Sequence, residues 1–125
     1  MSHHVLVAED EPDIRELLRL ALTGVGYEVE AAPDGAAALD LAVARPPALV
    51  VTDLRMPVMN GLDLIRALRD APALCRVPVI LFTAFVSSDP RVAEARAIPT
   101  VEVVTKGSIS ELRQAVARLL GAGAA

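Results

Sequence analysis

Four short apolar runs in this sequence end on residues that can do chemistry. HVLVA (4–8) runs into Glu9 and Asp10, LVV (49–51) into Asp53 by way of Thr52, VPVILF (77–82) into Thr83, and VEVV (101–104) into Lys106 by way of Thr105. Such runs, rich in β-branched residues, read as strands covered on both faces. In an open α/β sheet, ligands bind outside the carboxyl ends of the strands. Parallel strands would bring all of these groups to one edge. Three carboxylates together raise one another's pKa unless a cation is present. A hard divalent ion such as Mg2+ resolves this, because it takes oxygen ligands in octahedral geometry and keeps several waters. The hydroxyl of Thr83 and the ammonium of Lys106 are then left over, and both suit an anion held beside the metal. Carboxylates, Mg2+, a hydroxyl and a lysine together make a phosphoryl-transfer site. A carboxylate can itself be the nucleophile, forming an aspartyl phosphate. No Gly-rich phosphate loop points to a nucleotide as donor.

Each of these residues also has an ordinary role to weigh. A lone aspartate after a strand usually just caps a loop, and Thr83 ends a β-rich run. Glu11 and Asp13 flank Pro12, which suits a first helical position, and acids favour a helix N-terminus. That explanation does not reach Glu9 and Asp10, which precede the helix. Lys106 is the single lysine beside eleven arginines. Lysine differs from arginine as a compact point charge on a flexible stem. The joint occurrence of polar groups at several strand ends outweighs the ordinary role of any one.

The elements that must position these groups follow from periodicity. A strand over His4–Ala8 leads to an amphipathic helix from Pro12 to about Gly24, with Ile14, Leu17, Leu18, Ala21, Leu22 and Val25 at helical spacing. Tyr27–Ala32 alternates and reads as an edge strand. An alanine-rich helix covers Gly35–Ala44 and stops at Arg45-Pro46-Pro47. After the strand at Leu49, Pro57 and Gly61 close a loop, and Gly61–Asp70 forms a third helix. Val77–Phe82 is the fourth strand, followed by a short helix over Arg91–Ala97 started by Ser87, Ser88, Asp89 and Pro90. Val101–Val104 is the fifth strand. Ser108 with Glu111 fits a capping box for a last helix that presents Ile109, Leu112, Val116, Leu119 and Leu120. The pattern is βα five times, which implies a three-layer α/β sandwich with a parallel sheet.

Composition narrows the class. The 125 residues make one domain, with a core over 3–120 and a fraying Gly121–Ala125 end. Hydrophobic residues are 54%, which argues against disorder. No apolar run reaches membrane-spanning length and nothing resembles a signal peptide, so a cytoplasmic location is expected. Cys75 is the only cysteine, which excludes an internal disulfide and a thiolate metal cluster. A net charge of −4, no basic run and only Tyr27, Phe82 and Phe85 as aromatics disfavour nucleic-acid binding. His3 and His4 alone are not a metal site.

With these motifs in place, the chain resembles the receiver domain of two-component response regulators over essentially its whole length. The resemblance is carried by VLVAEDEPDIREL near the start, DLRMPVMNG around Asp53, LFTA at Thr83 and VVTK at Lys106, in order and at these spacings. It implies a flavodoxin-like fold with strand order 2-1-3-4-5. It makes Asp53 the phosphoacceptor, Asp10 a direct Mg2+ ligand and Glu9 the other acid of the metal pocket, with Mn2+ as the alternative ion. The Arg55 backbone carbonyl would be a further metal ligand, Thr83 would hydrogen-bond the phosphoryl group, and Lys106 would pair with it. The donor would be the phosphohistidine of a sensor histidine kinase or a phosphotransfer protein, and output would pass to a downstream protein or domain.

Three positions depart from the family. Glu9-Asp10 stands where two aspartates are usual, and Mg2+ binding is expected to survive the extra methylene. Val103 stands three before the lysine, where a tyrosine or phenylalanine usually swings inward as the hydroxyl residue moves. Valine has no ring to swing and few rotamers, so signalling would have to use the loop after Thr83 or proceed without large rearrangement. Gly107 replaces the usual proline of a cis peptide. A non-proline cis bond costs roughly 2.5–4 kcal/mol, so a trans Lys106–Gly107 bond is expected. Arg55 and Phe85, two residues after Asp53 and Thr83, are expected to shield the phosphoryl group from water.

The leading reading is thus a phosphoacceptor signalling domain that acts chemically only on itself and is not otherwise an enzyme. A degenerate receiver that serves as an interaction module is the alternative. A Mg2+-dependent phosphatase is a third, but Leu54 and Arg55 offer no second carboxylate beside the nucleophile. No output domain is read in these residues; a chain complete as given would act by protein contact.

Overall fold

The structure, a computed structural model, describes residues 3–84 and 86–121. Strands β1 (His4–Ala8), β3 (Leu49–Thr52) and β4 (Val79–Thr83) are buried at every residue, as continuous apolar runs in a parallel sheet require. The partly polar β2 (Glu28–Ala32) and β5 (Val101–Thr105) take the two edges. All neighbours pair in parallel, in the order β2-β1-β3-β4-β5. One row across the sheet reads Ala31, Val7, Val51, Ile80, Glu102. This register sets the carboxyl ends of the strands level with one another.

Helices α1 (Pro12–Thr23), α2 (Gly35–Ala44), α3 (Gly61–Asp70), α4 (Pro90–Arg96) and α5 (Ile109–Leu120) complete three layers. Alternation along each strand divides the core in two. Val5, Val7, Leu49, Val51, Ile80 and Phe82 pack on one face with Leu18 and Leu22 of α1 and Leu112 and Val116 of α5. Leu6, Val50, Val79 and Leu81 pack on the other with Ala38 and Ala42 of α2, Leu64, Ile65 and Leu68 of α3, and Val92 and Ala95 of α4. Helices α2 to α5 start on side-chain caps: Asp34 accepts from Ala37 N–H, Asn60 from Asp63 N–H, Asp89 from Arg91 N–H and Ser108 from Glu111 N–H.

Several boundaries differ from those the sequence suggests, each for a local reason. Tyr27 N–H donates to Leu22 O, so Tyr27 belongs to the turn closing α1 rather than to β2. Val77 N–H donates to Leu74 O and Pro78 has no N–H to give, so β4 begins at Val79. Strand β5 extends one residue further, to Thr105, α1 ends at Thr23, and α4 is Pro90–Arg96. Leu17 and Val25 share the spacing of the α1 stripe but are 51% and 52% exposed. Arg69 at the end of α3 ties down the far side of the sheet, donating to Val77 O, Pro99 O and the Thr100 hydroxyl oxygen. Thr100 there has φ 60°, a conformation costly for a β-branched residue and held by these bonds. None of the described helices is long and apolar enough to cross a membrane.

Candidate phosphoacceptor site

The ladder of the sheet continues one step past the strand ends and so fixes the polar residues. Glu9 N–H donates to Ala32 O and Asp53 N–H to Ala8 O, each at 3.0 Å, and Lys106 N–H donates to Thr83 O at 2.9 Å. Asp53 is 8% exposed, and its Oδ1 accepts Leu54 N–H at 2.7 Å. The loop after Asp53 folds back tightly: Gly61 N–H reaches Leu54 O at 2.8 Å. A Cβ on Gly61 would sit 2.2 Å from Asp53 O, so only glycine allows this approach. Between them Met59 N–H donates to Pro57 O across Val58 (φ 68°), a γ-turn of the rare positive-φ kind.

Lys106 crosses the site. Its Nζ lies 2.6 Å from Asp53 Oδ2 and 2.8 Å from Glu9 Oε1. Burial alone would lower the Lys106 pKa, but the two carboxylates outweigh it and hold the ammonium above its ordinary value. Burial pushes the Glu9 carboxyl up; Lys106 and the Glu11 N–H oppose this, and the Asp53 charge adds to it. Gly107 makes the turn after the lysine with φ 117°, and among the described residues every peptide bond is trans, as expected for Lys106–Gly107.

Glu9, Asp10 and Asp53 each bring one carboxylate oxygen to within 4.8 Å of the others. Glu9 is buried, and the Lys106 ammonium 2.8 Å from its Oε1 is shared with Asp53. An all-oxygen set whose three carboxylates share one ammonium fits a hard divalent ion. Beside it opens a cleft of about 470 Å3 lined by Asp10, Arg55, Met56, Val58, Asn60, Asp63 and Arg91.

Glu9, Asp10, Asp53 and Lys106 are therefore brought together. Thr83 is fully buried at the end of β4, joined to Lys106 through its carbonyl. The Arg55 side chain turns toward Asp89 (Nε–Oδ2 3.6 Å) from the loop that follows Asp53. Val103 lies in β5, partly buried against the α3–α4 side of the core. Phe85 lies outside the described residues. Asn60, Asp63 and Arg91 at the cleft were not singled out by sequence reasoning, and only the run Ser87, Ser88, Asp89 and Pro90, read as a helix start, signalled that region. His4 begins β1 and so sits at the opposite end of the sheet.

Residues 5–117 match the response regulator receiver domain family. The transcriptional regulatory protein KdpE of Mycobacterium tuberculosis is 42% identical over 88 residues, which is 70% of this chain and 38% of that protein. The sensor histidine kinase TmoS of Ectopseudomonas mendocina is 42% identical over 80 residues, 64% of this chain and 8% of that protein. The chain thus spans well under half the length of these two relatives. The response regulator TrrA of Thermotoga maritima, solved in complex with Mg2+ and BeF, superposes with a TM-score of 0.80 at 34% identity, covering 96% of this chain and all of that one. With strand order, carboxyl-edge site and sequence in agreement, the chain belongs to the receiver domain family of two-component response regulators, in its flavodoxin-like fold.

Proposed function

We propose that Asp53 accepts a phosphoryl group from the phosphohistidine of a sensor histidine kinase or phosphotransfer protein, in a Mg2+-dependent reaction, and that the product alters the chain's protein contacts. The observation that carries this is the buried Asp53 carboxylate. One oxygen is fixed by Leu54 N–H and the other by Lys106 Nζ at 2.6 Å, beside two further acids. An Asp53 oxygen attacks phosphorus, the bond from phosphorus to the donor imidazole nitrogen breaks, and the imidazole leaves with the bonding pair and takes up a proton. Glu9, Asp10, Asp53 and the Arg55 carbonyl would hold the metal, which when bound screens charge on the transferring group. Lys106 stays charged throughout and meets the phosphoryl oxygens, and the Thr83 hydroxyl donates to another. Chemistry is confined to the chain's own aspartate, and a cytoplasmic location goes with this reading.

Phosphoramidate carries the same phosphorus–nitrogen bond as phosphohistidine and tests the acceptor directly. With Mg2+ the wild type should gain the mass of one phosphoryl group, and Asp53→Asn should gain none. Equal labelling of Asp53→Asn would place the acceptor elsewhere.

A further inference from the structure

Outside the pocket proper, one buried carboxylate connects it to α4. The Asp89 side chain is 6% exposed and faces two arginines of different standing. Arg91, on the same helix, grips it with Nη2 at 2.7 Å and Nε at 3.1 Å. Its own N–H donates to the same carboxylate at 3.0 Å, so Asp89 is also the cap of α4. Arg55 comes from the loop after Asp53, is half exposed, and approaches only to 3.6 Å. Asp89 therefore bridges the loop that follows the acceptor to the first turn of α4. Arg55 and Arg91 line the same cleft as Asp10, whose carboxylate lies within 4.8 Å of that of Asp53.

A phosphoryl group on Asp53 would bring into that cleft about one to two further negative charges and strong acceptor oxygens. For the Arg55 guanidinium, phosphoryl oxygens are then a stronger partner than a carboxylate it shares with Arg91. We infer that Arg55 is a two-position latch. It pairs with Asp89 in the resting chain and with the phosphoryl oxygens after transfer, so that the β3–α3 loop releases the start of α4. Asp89 keeps Arg91 in both positions, so its charge is never left unpaired and the exchange is cheap. The inference rests on Asp53 being the acceptor. It gives the site a route to α4 that needs no aromatic in β5, where this chain has Val103.

The test uses Mg2+ with beryllofluoride as phosphoryl mimic, read by amide NMR and by the Arg55 Nε resonance. In the wild type, binding should move the Arg55 Nε signal and the amides of residues 90–96 together. Asp89→Asn keeps a capping side chain, since asparagine caps as well as aspartate. Its 90–96 amides should already lie toward the bound positions without the mimic, and it should bind about two- to fivefold more tightly, the scale of one half-exposed ion pair. Arg55→Gln breaks the same pair, so its 90–96 amides should also start toward the bound positions and move little further at saturation. If the wild type does not bind the mimic, the acceptor reading fails and the latch with it. If it binds, and Arg55→Gln shows the wild-type displacement at 90–96, the latch is wrong while the acceptor reading stands.

Discussion

At the scale of single residues, the loop after Asp53 carries a cost that packing does not return. Val58 holds φ 68° in its γ-turn yet is 84% exposed, so its side chain gains almost nothing from burial. A β-branched residue at positive φ is costly, about 1–3 kcal/mol by the usual scale of such strain. Thr100 shares the problem, but its oxygens are held by Arg69. Val58→Gly removes the Cβ clash and gives back part of the gain through a freer unfolded chain. The expected net effect is a stabilisation of about 1 kcal/mol, seen as a higher urea midpoint with unchanged slope. A midpoint that stays or falls would show that the turn is not strained by valine. Gly61, three residues on, is the opposite case, because a Cβ there would overlap the carbonyl of Asp53 itself.

At the scale of elements, α4 is short, seven residues, and its start depends on Asp89. The Arg91 side chain, then the Arg91 N–H and the charge of Arg55, hold the Asp89 carboxyl well below the ordinary aspartate value of 3.8. A depressed folded-state pKa contributes stability that is present above the unfolded value and is lost as pH falls through the folded one. Asp89→Asn should therefore lower the urea midpoint by a constant amount from neutral pH down to about pH 5, a range above both values. The gap should close as the pH drops below 3.8. A gap that persists undiminished at the acid end would mean that Asp89 acts through shape rather than charge. This linkage also shows what a sequence conveys. Strands β1 and β3 were legible because a strand covered on both faces is an unbroken apolar run, and Glu9, Asp53, Thr83 and Lys106 were legible because each terminates such a run or its extension. Asp89 was legible only as a helix start. Its bond to Arg55 joins two loops distant in sequence, and no local pattern encodes that. The same holds for Tyr27 and Val77, whose places were decided by single hydrogen bonds back to Leu22 and Leu74, for Leu17, which stands on the exposed flank of α1, and for Val25, which lies in the exposed turn beyond its end.

At the scale of the whole molecule, the parallel topology concentrates at one sheet edge what the rest of the fold excludes from its interior. Three carboxylates within 4.8 Å face a single ammonium, so the edge is net negative in a chain that is already at −4. Like charges at this spacing oppose the folded state, and burial of Glu9 adds to the cost. The fold tolerates the site, and a divalent cation should reverse the sign of its contribution. A ligand that binds only the native state stabilises it by about 2.7 kcal/mol at a hundredfold excess over Kd. For a domain of this size that corresponds to a rise in Tm on the order of 10 °C. Asp10→Asn separates this effect from general salt effects. Without Mg2+ it removes one of the crowded charges and should melt at or slightly above the wild-type temperature. With Mg2+ it should lose most of the rise, so the order of the two proteins inverts between the two titration ends. Thermal unfolding at matched ionic strength reads both ends. Equal Mg2+-dependent rises in the two proteins would remove Asp10 from the metal pocket, and a less stable Asp10→Asn without metal would mean that the carboxylate serves the fold and not only the ion.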